Sequence, residues 1–64
     1  MDTFMRLPAV KVRTGLSRSS IYAKMKTGEF PQAIALGQRS IGWIESEIQQ
    51  WIVDRVKASR EITR

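Results

Sequence analysis

The residues of this chain best suited to chemistry are cations and hydroxyls, and they crowd into one stretch. In TGLSRSSIYAKMKTGEFP, Thr14 to Pro31, the run Ser17, Arg18, Ser19, Ser20 is followed by Lys24 and Lys26. Lysine and arginine neutralise phosphates and reach guanine edges, while short hydroxylic side chains exchange hydrogen bonds and let a backbone come close. That is the chemistry of holding a polyanion. Bond-breaking lacks its parts: the chain has no histidine and no cysteine. A nucleophile would have no imidazole beside it to take its proton, and zinc would lack its usual ligands. Glu45 and Glu47 stand two apart at an expected helix start, where their side chains diverge, so they make a poor acid/base pair. We expect no enzyme, no metal and no cofactor.

The charge map points the same way. The formal charge is +5 with a pI near 10.5, which suits a nucleic-acid partner. Residues 1–16 carry +2 (Arg6, Lys11 and Arg13 against Asp2), and residues 17–39 carry +3 (Arg18, Lys24, Lys26 and Arg39 against Glu29). Residues 40–53 carry −2 from Glu45 and Glu47, and residues 54–64 return to +2. Positive charge thus avoids the segment with the strongest helical core pattern, and a binding face on the first two-thirds of the chain follows.

Sixty-four residues make one small domain, near the lower limit for burying a sufficient core. With no disulfide available, stability must come from packing, which 42% hydrophobic residues and two tryptophans can supply. No apolar run approaches the roughly 20 residues of a membrane helix, and MDTFMRLPAV lacks the form of a secretory signal. The expectation is a complete, untargeted, cytoplasmic chain.

These residues need elements to position them. Pro8 suits a first helical turn, so a short helix is expected from about Pro8 to Thr14, with Val10 and Val12 as its apolar contacts and Gly15 as its left-handed end. Leu16 is then the buried residue of the turn. Ser17 is a good N-cap for a second helix, without a capping box because Ser20 stands where Glu or Gln is wanted. Ile21, Tyr22 and Met25 share one face of it; Ser19, Ala23 and Lys26 form a neighbouring stripe, beside Ser20, Lys24 and Thr27. Arg18 falls awkwardly at the centre of the apolar arc, although in a first turn it can still project past the core. Gly28 ends the helix and Pro31 prevents a restart.

In AIALGQRSIGW, two runs of period two flank Gly37-Gln38-Arg39, a hairpin signature. TFMR near the start can add a small strand to it. Ser46 and Gln49 fit a capping box for a third helix, although Glu45 can already lie inside it. Its apolar stripe is Ile48, Trp51, Ile52 and Val56, and beyond about Ala58 the polar SREITR predicts a fraying tail. The domain is therefore expected over residues 1–58, with a flexible tail over 59–64.

A helix–turn–helix places its second helix in the major groove, and the hairpin can act as a wing with Arg39 at its tip. Taken singly, Lys24 with Lys26, or Arg39, is an ordinary solvated surface, and Tyr22, Trp43 and Trp51 are core aromatics. Their joint occurrence with this charge map favours DNA. On RLPAV, TGLSRSSIYAKMKTGEFP, LGQRSIGW and SEIQQWI, in order and spacing over most of residues 6–52, the chain resembles the AlpA family of small phage and prophage transcriptional regulators. These are relatives of excisionases and of MerR-type domains.

The resemblance implies a mainly α fold with a small β-hairpin wing: a three-helix, MerR/excisionase-like winged helix-turn-helix. The first helix would lie near 8–14, the recognition helix near 18–27 and the wing near 33–43. It implies DNA contacts at Ser17, Arg18, Ser19, Ser20 and Tyr22, at Lys24 and Lys26, and at Gln38, Arg39 and Ser40 of the wing. Many members carry a basic residue where this chain has Ala23, so a long-reaching contact is not expected there. The implied partner is double-stranded DNA, with further copies of the chain on repeated sites. Control of integrase or excision genes, or an accessory role in excision, is the implied function. A rival reading is a protein-interaction module such as a small anti-repressor. It is disfavoured by the lack of large apolar anchors at the positions facing DNA.

Overall fold

A computed structural model describes residues 3–62. Its element order is β1 (Phe4–Met5), α1 (Leu7–Thr14), α2 (Arg18–Lys26), β2 (Ile34–Ala35), β3 (Ile41–Ile44) and α3 (Glu45–Ile62). It is a three-helix domain with a small antiparallel sheet of order β1-β3-β2, the expected winged helix-turn-helix. The hairpin pairs Ile34 with Gly42 and Ala35 with Ile41. The N-terminal strand pairs Phe4 with Ile44 and Met5 with Trp43, as TFMR suggested. Strand β3 is the hub, touching β1, β2, α1 and α3.

Both glycine stops work as local backbone chemistry predicts. Gly15 takes φ 74° and its N–H donates to the Lys11 carbonyl, closing α1 with a single left-handed cap. Gly28 takes φ 80°; its N–H donates to Met25 O, while that of Glu29 donates to Lys24 O. Those two bonds form a Schellman motif, which satisfies carbonyls that the end of α2 would otherwise leave bare.

The core is Met5, Val10, Ile21, Phe30, Trp43 and Ile48: one side chain from every element except β2, with Phe30 from the connection between α2 and β2. Leu16, Met25, Trp51 and Ile52 pack half-buried against it. Two expected contacts fail. Val12 is 86% exposed, because only the Val10 side of this two-turn helix meets the sheet. Val56 is 41% exposed: the stripe of α3 is covered only as far as Ile52, where the body of the domain ends.

The start of α3 falls at the earlier of the two boundaries that the sequence allowed. The helix begins at Glu45, directly out of β3, so Ser46 sits inside the first turn and the Ser46–Gln49 capping box is not the boundary. The Glu45 N–H is taken up by the Thr3 carbonyl at 2.7 Å, and Glu45 and Glu47 both lie in the first turn, where negative charge favours the helix dipole. At the other end the helix continues to Ile62, past Ala58. Residues 63 and 64 of the expected tail lie outside the described residues.

Candidate nucleic-acid interface

The interface is built on α2, whose entry is fixed by Ser17. Its side chain accepts from the Ser20 N–H at 3.2 Å, and its hydroxyl donates to Ser20 Oγ at 3.1 Å. Capping therefore uses the Ser17 hydroxyl as both donor and acceptor, whereas Ser20 Oγ accepts and keeps its own proton to donate. Just before it, Thr14 Oγ1 donates to Val10 O and accepts from the Leu16 N–H. The turn between the helices is thus closed by a threonine, a glycine and a serine in sequence.

Ile21 is fully buried and anchors the helix. Ser19, Ala23 and Lys26 stand on the exposed side, as their spacing predicted, while Ser20, Tyr22, Lys24 and Met25 are half-buried flanks. The small residues keep the outer face low enough for a close approach.

Arg18, expected in the apolar arc, is exposed. Because it sits in the first turn, its side chain projects past the core, and its guanidinium lies over the Tyr22 ring, 5.4 Å from the centroid. The stacked pair leaves the charge without an acidic partner among the described residues.

Among the described residues the single ion pair is Arg13 with Glu45, at 3.4 Å and largely solvated. Arg13 also donates to Gln49 Oε1 at 2.9 Å, so this cation ties α1 to α3. Arg18, Lys24, Lys26 and Arg39 carry no such tie and remain available to an outside anion.

The wing tip is closed by the Leu36 and Gly37 N–H groups, both donating to the Ser40 carbonyl at 2.7 and 3.3 Å. Gln38 and Arg39 are exposed at the tip, and Ser40 is half-buried at its base. Gly42 lets the wing pack: a Cβ there would lie 2.8 Å from Leu36 Cδ1 and 3.1 Å from the Met5 carbonyl.

Position of the wing relative to α2 depends on the connection 28–33, and here the aromatic residues do more than fill space. Trp51 Nε1 donates to Glu29 O at 2.8 Å, Trp43 Nε1 donates to Pro31 O at 3.1 Å, and Gln32 Nε2 donates to Met25 O at 2.8 Å. Phe30, buried in the same segment, packs edge-on against Trp51 with ring centroids 5.0 Å apart. The connection is stapled to both β3 and α3. Sequence reasoning read Trp43 and Trp51 as core residues and did not find these staples. Their one readable sign was that a buried indole N–H needs a partner.

A Gly-turned helix pair, an exposed basic helix face and a hairpin tip with a free arginine define a winged helix-turn-helix of the nucleic-acid-binding class. The chain itself belongs to the family described as Prophage CP4-57 regulatory protein (AlpA), whose model matches residues 3–56. It is 41% identical over 59 residues to the DNA-binding transcriptional activator AlpA of Escherichia coli (strain K12), covering 83% of this chain and 84% of that protein. It is 40% identical over 55 residues to the uncharacterized protein ORF88 of Enterobacteria phage P4. That match covers 86% of this chain but 62% of the phage protein, so the chain spans less than two-thirds of that relative.

Proposed function

We propose that this chain is a sequence-specific DNA-binding transcriptional regulator of a phage or prophage, acting in the cytoplasm. It controls integrase or excision genes, or serves as an accessory factor in excision. The observation that carries this reading is the set of four cations, Arg18, Lys24, Lys26 and Arg39, on α2 and the wing, with no acidic partner among the described residues. The resemblance to a bacterial DNA-binding activator supports it.

In this reading α2 enters the major groove with Ser19, Ala23 and Lys26 against the bases. Arg18, braced on Tyr22, reaches a guanine edge or a phosphate at the helix start, and Ser20 donates its free proton. Ser17 acts chiefly by setting the helix entry. Lys24 neutralises a flanking phosphate, while Gln38, Arg39 and Ser40 bring the wing to the neighbouring backbone or groove. The DNA-binding unit is residues 1–58, with 59–64 outside it. No metal, cofactor or small-molecule substrate takes part.

A single module of this kind buries only about 600–1,000 Å² on DNA, so two or more copies act on repeated sites. The test is fluorescence anisotropy at several salt concentrations, on random duplex and on DNA from the chain's own genomic neighbourhood. If the four cations all meet phosphates, log K should fall against log salt with a slope of about −3.6, and one fragment should keep a large preference. Weak binding with no preference on any fragment would overturn the reading.

A further inference from the structure

Three of the six carboxylates of this basic protein line a groove that the DNA reading does not use. An open groove of about 730 Å³ runs between the 28–34 connection and α3. Phe30, Ile34 and Trp51 supply apolar lining, and Glu29, Glu47 and Asp54 its acidic lining. Glu29, Glu47 and Asp54 are exposed, and none of them is ion-paired among the described residues. The groove continues past Trp51 to Ala58, where the Arg55 guanidinium already lies 5.2 Å from the Trp51 ring centroid. That ring face is thus covered by the chain's own cation, and the acidic and apolar lining on the Phe30 side is the part open to a partner. A rim of carboxylates is repelled by phosphate, so this surface suits a basic, apolar protein segment rather than nucleic acid.

The chain carries such a segment. The radius of gyration is 12.5 Å, above the roughly 11 Å of a compact domain of this length, because α3 continues beyond the body. Val53 and Val56 are exposed there at 39% and 41%. With Gln49 and Arg60 they form one stripe at i, i+4, i+7 and i+11, and Lys57 lies beside it. The lining residues Glu47, Trp51, Asp54 and Ala58 form a second stripe with Gln50 at its edge, centred about 160° around the helix at 100° per residue. The two surfaces therefore lie on opposite sides of α3.

We propose that the groove receives the projecting half of α3 from a second copy of this chain. Val53 and Val56 enter the apolar lining, and Lys57 and Arg60 meet Glu29, Glu47 and Asp54. Because donor and acceptor surfaces lie on opposite faces, the contact is heterologous and adds copies head to tail instead of closing a two-fold dimer. It deepens the reading of several copies on repeated sites and supplies their contact, yet it can be tested with no DNA present. Failure of DNA recognition and failure of this contact are thereby separable.

The experiment is sedimentation velocity of the full chain from micromolar to millimolar concentration, without DNA, at low and high salt. The parent should associate beyond a dimer at low salt and dissociate as salt rises. The groove variant Glu47→Lys/Asp54→Lys and the tail variant Lys57→Glu/Arg60→Glu should each associate about tenfold more weakly, with unchanged far-ultraviolet circular dichroism, since all four side chains are exposed. An equal mixture of the two should recover association, because each then offers the other an opposite charge. Tryptophan fluorescence should shift with association in the parent and in the mixture, through Trp51 at the groove, since Trp43 is already fully buried. A parent that stays monomeric, association that stops at a dimer or ignores salt, or a mixture no better than its components would each overturn the proposal.

Discussion

Arg18→Ala tests the interface most directly. The side chain is exposed, with no ion pair among the described residues, and its structural contact is the stack on Tyr22. An exposed cation–π contact is worth about 0.5–1 kcal/mol, so the variant should remain folded with a slightly lower melting temperature. Its effect on DNA should be larger. If the guanidinium reads a guanine, the loss on specific DNA is about 1–3 kcal/mol, or about 5- to 150-fold in affinity. Affinity for random duplex would change much less. If it neutralises a phosphate instead, both DNAs weaken together and the salt slope becomes shallower by about one. Anisotropy titrations on both duplexes at three or more salt concentrations separate these cases. Parent-like affinity and slope on both would refute the placement of α2 against DNA.

Three further outcomes follow from the packing. Ser17→Ala removes the cap acceptor for the Ser20 N–H and should cost about 1 kcal/mol, read as a fall of about 4–8 °C in thermal melting. Phe30→Ala empties a core position and the edge contact with Trp51, at a cost of about 3–5 kcal/mol. The whole stability of a domain this size is about 3–10 kcal/mol, so a urea titration should find the variant either unfolded without urea or unfolding at a much lower midpoint than the parent. Gly42→Val forces side-chain atoms toward Leu36 and the Met5 carbonyl, and overpacking of this kind costs about 1–3 kcal/mol. Amide exchange should then quicken in β1 and β2 before α1, and uniform protection would count against the close approach at Gly42.

What the chain determined by itself is mostly backbone chemistry and charge. Ser17 as a cap, Gly15 and Gly28 as stops, the turn at Gly37-Gln38-Arg39 and the Ile48–Ile52 stripe all rest on interactions within a few residues. Such interactions are present in the sequence wherever the chain goes. The same holds for the separation of cations on α2 and the wing from carboxylates at the start of α3.

Tertiary structure decided the rest, because burial depends on what arrives opposite a side chain. Val10 and Val12 are the same residue type two positions apart, yet β3 and its neighbours cover one and leave the other in water. Val56 continues a sound apolar stripe, but nothing in the domain extends far enough to meet it. Arg18 belongs to the apolar arc by spacing, and only the open end of α2 allows it to bend out and stack on Tyr22. The indole bonds to Glu29 and Pro31 span 22 and 12 residues. Periodicity within one element carries no record of a partner that distant, so the setting of the wing against α2 and the groove beside Trp51 exist only once the chain has folded.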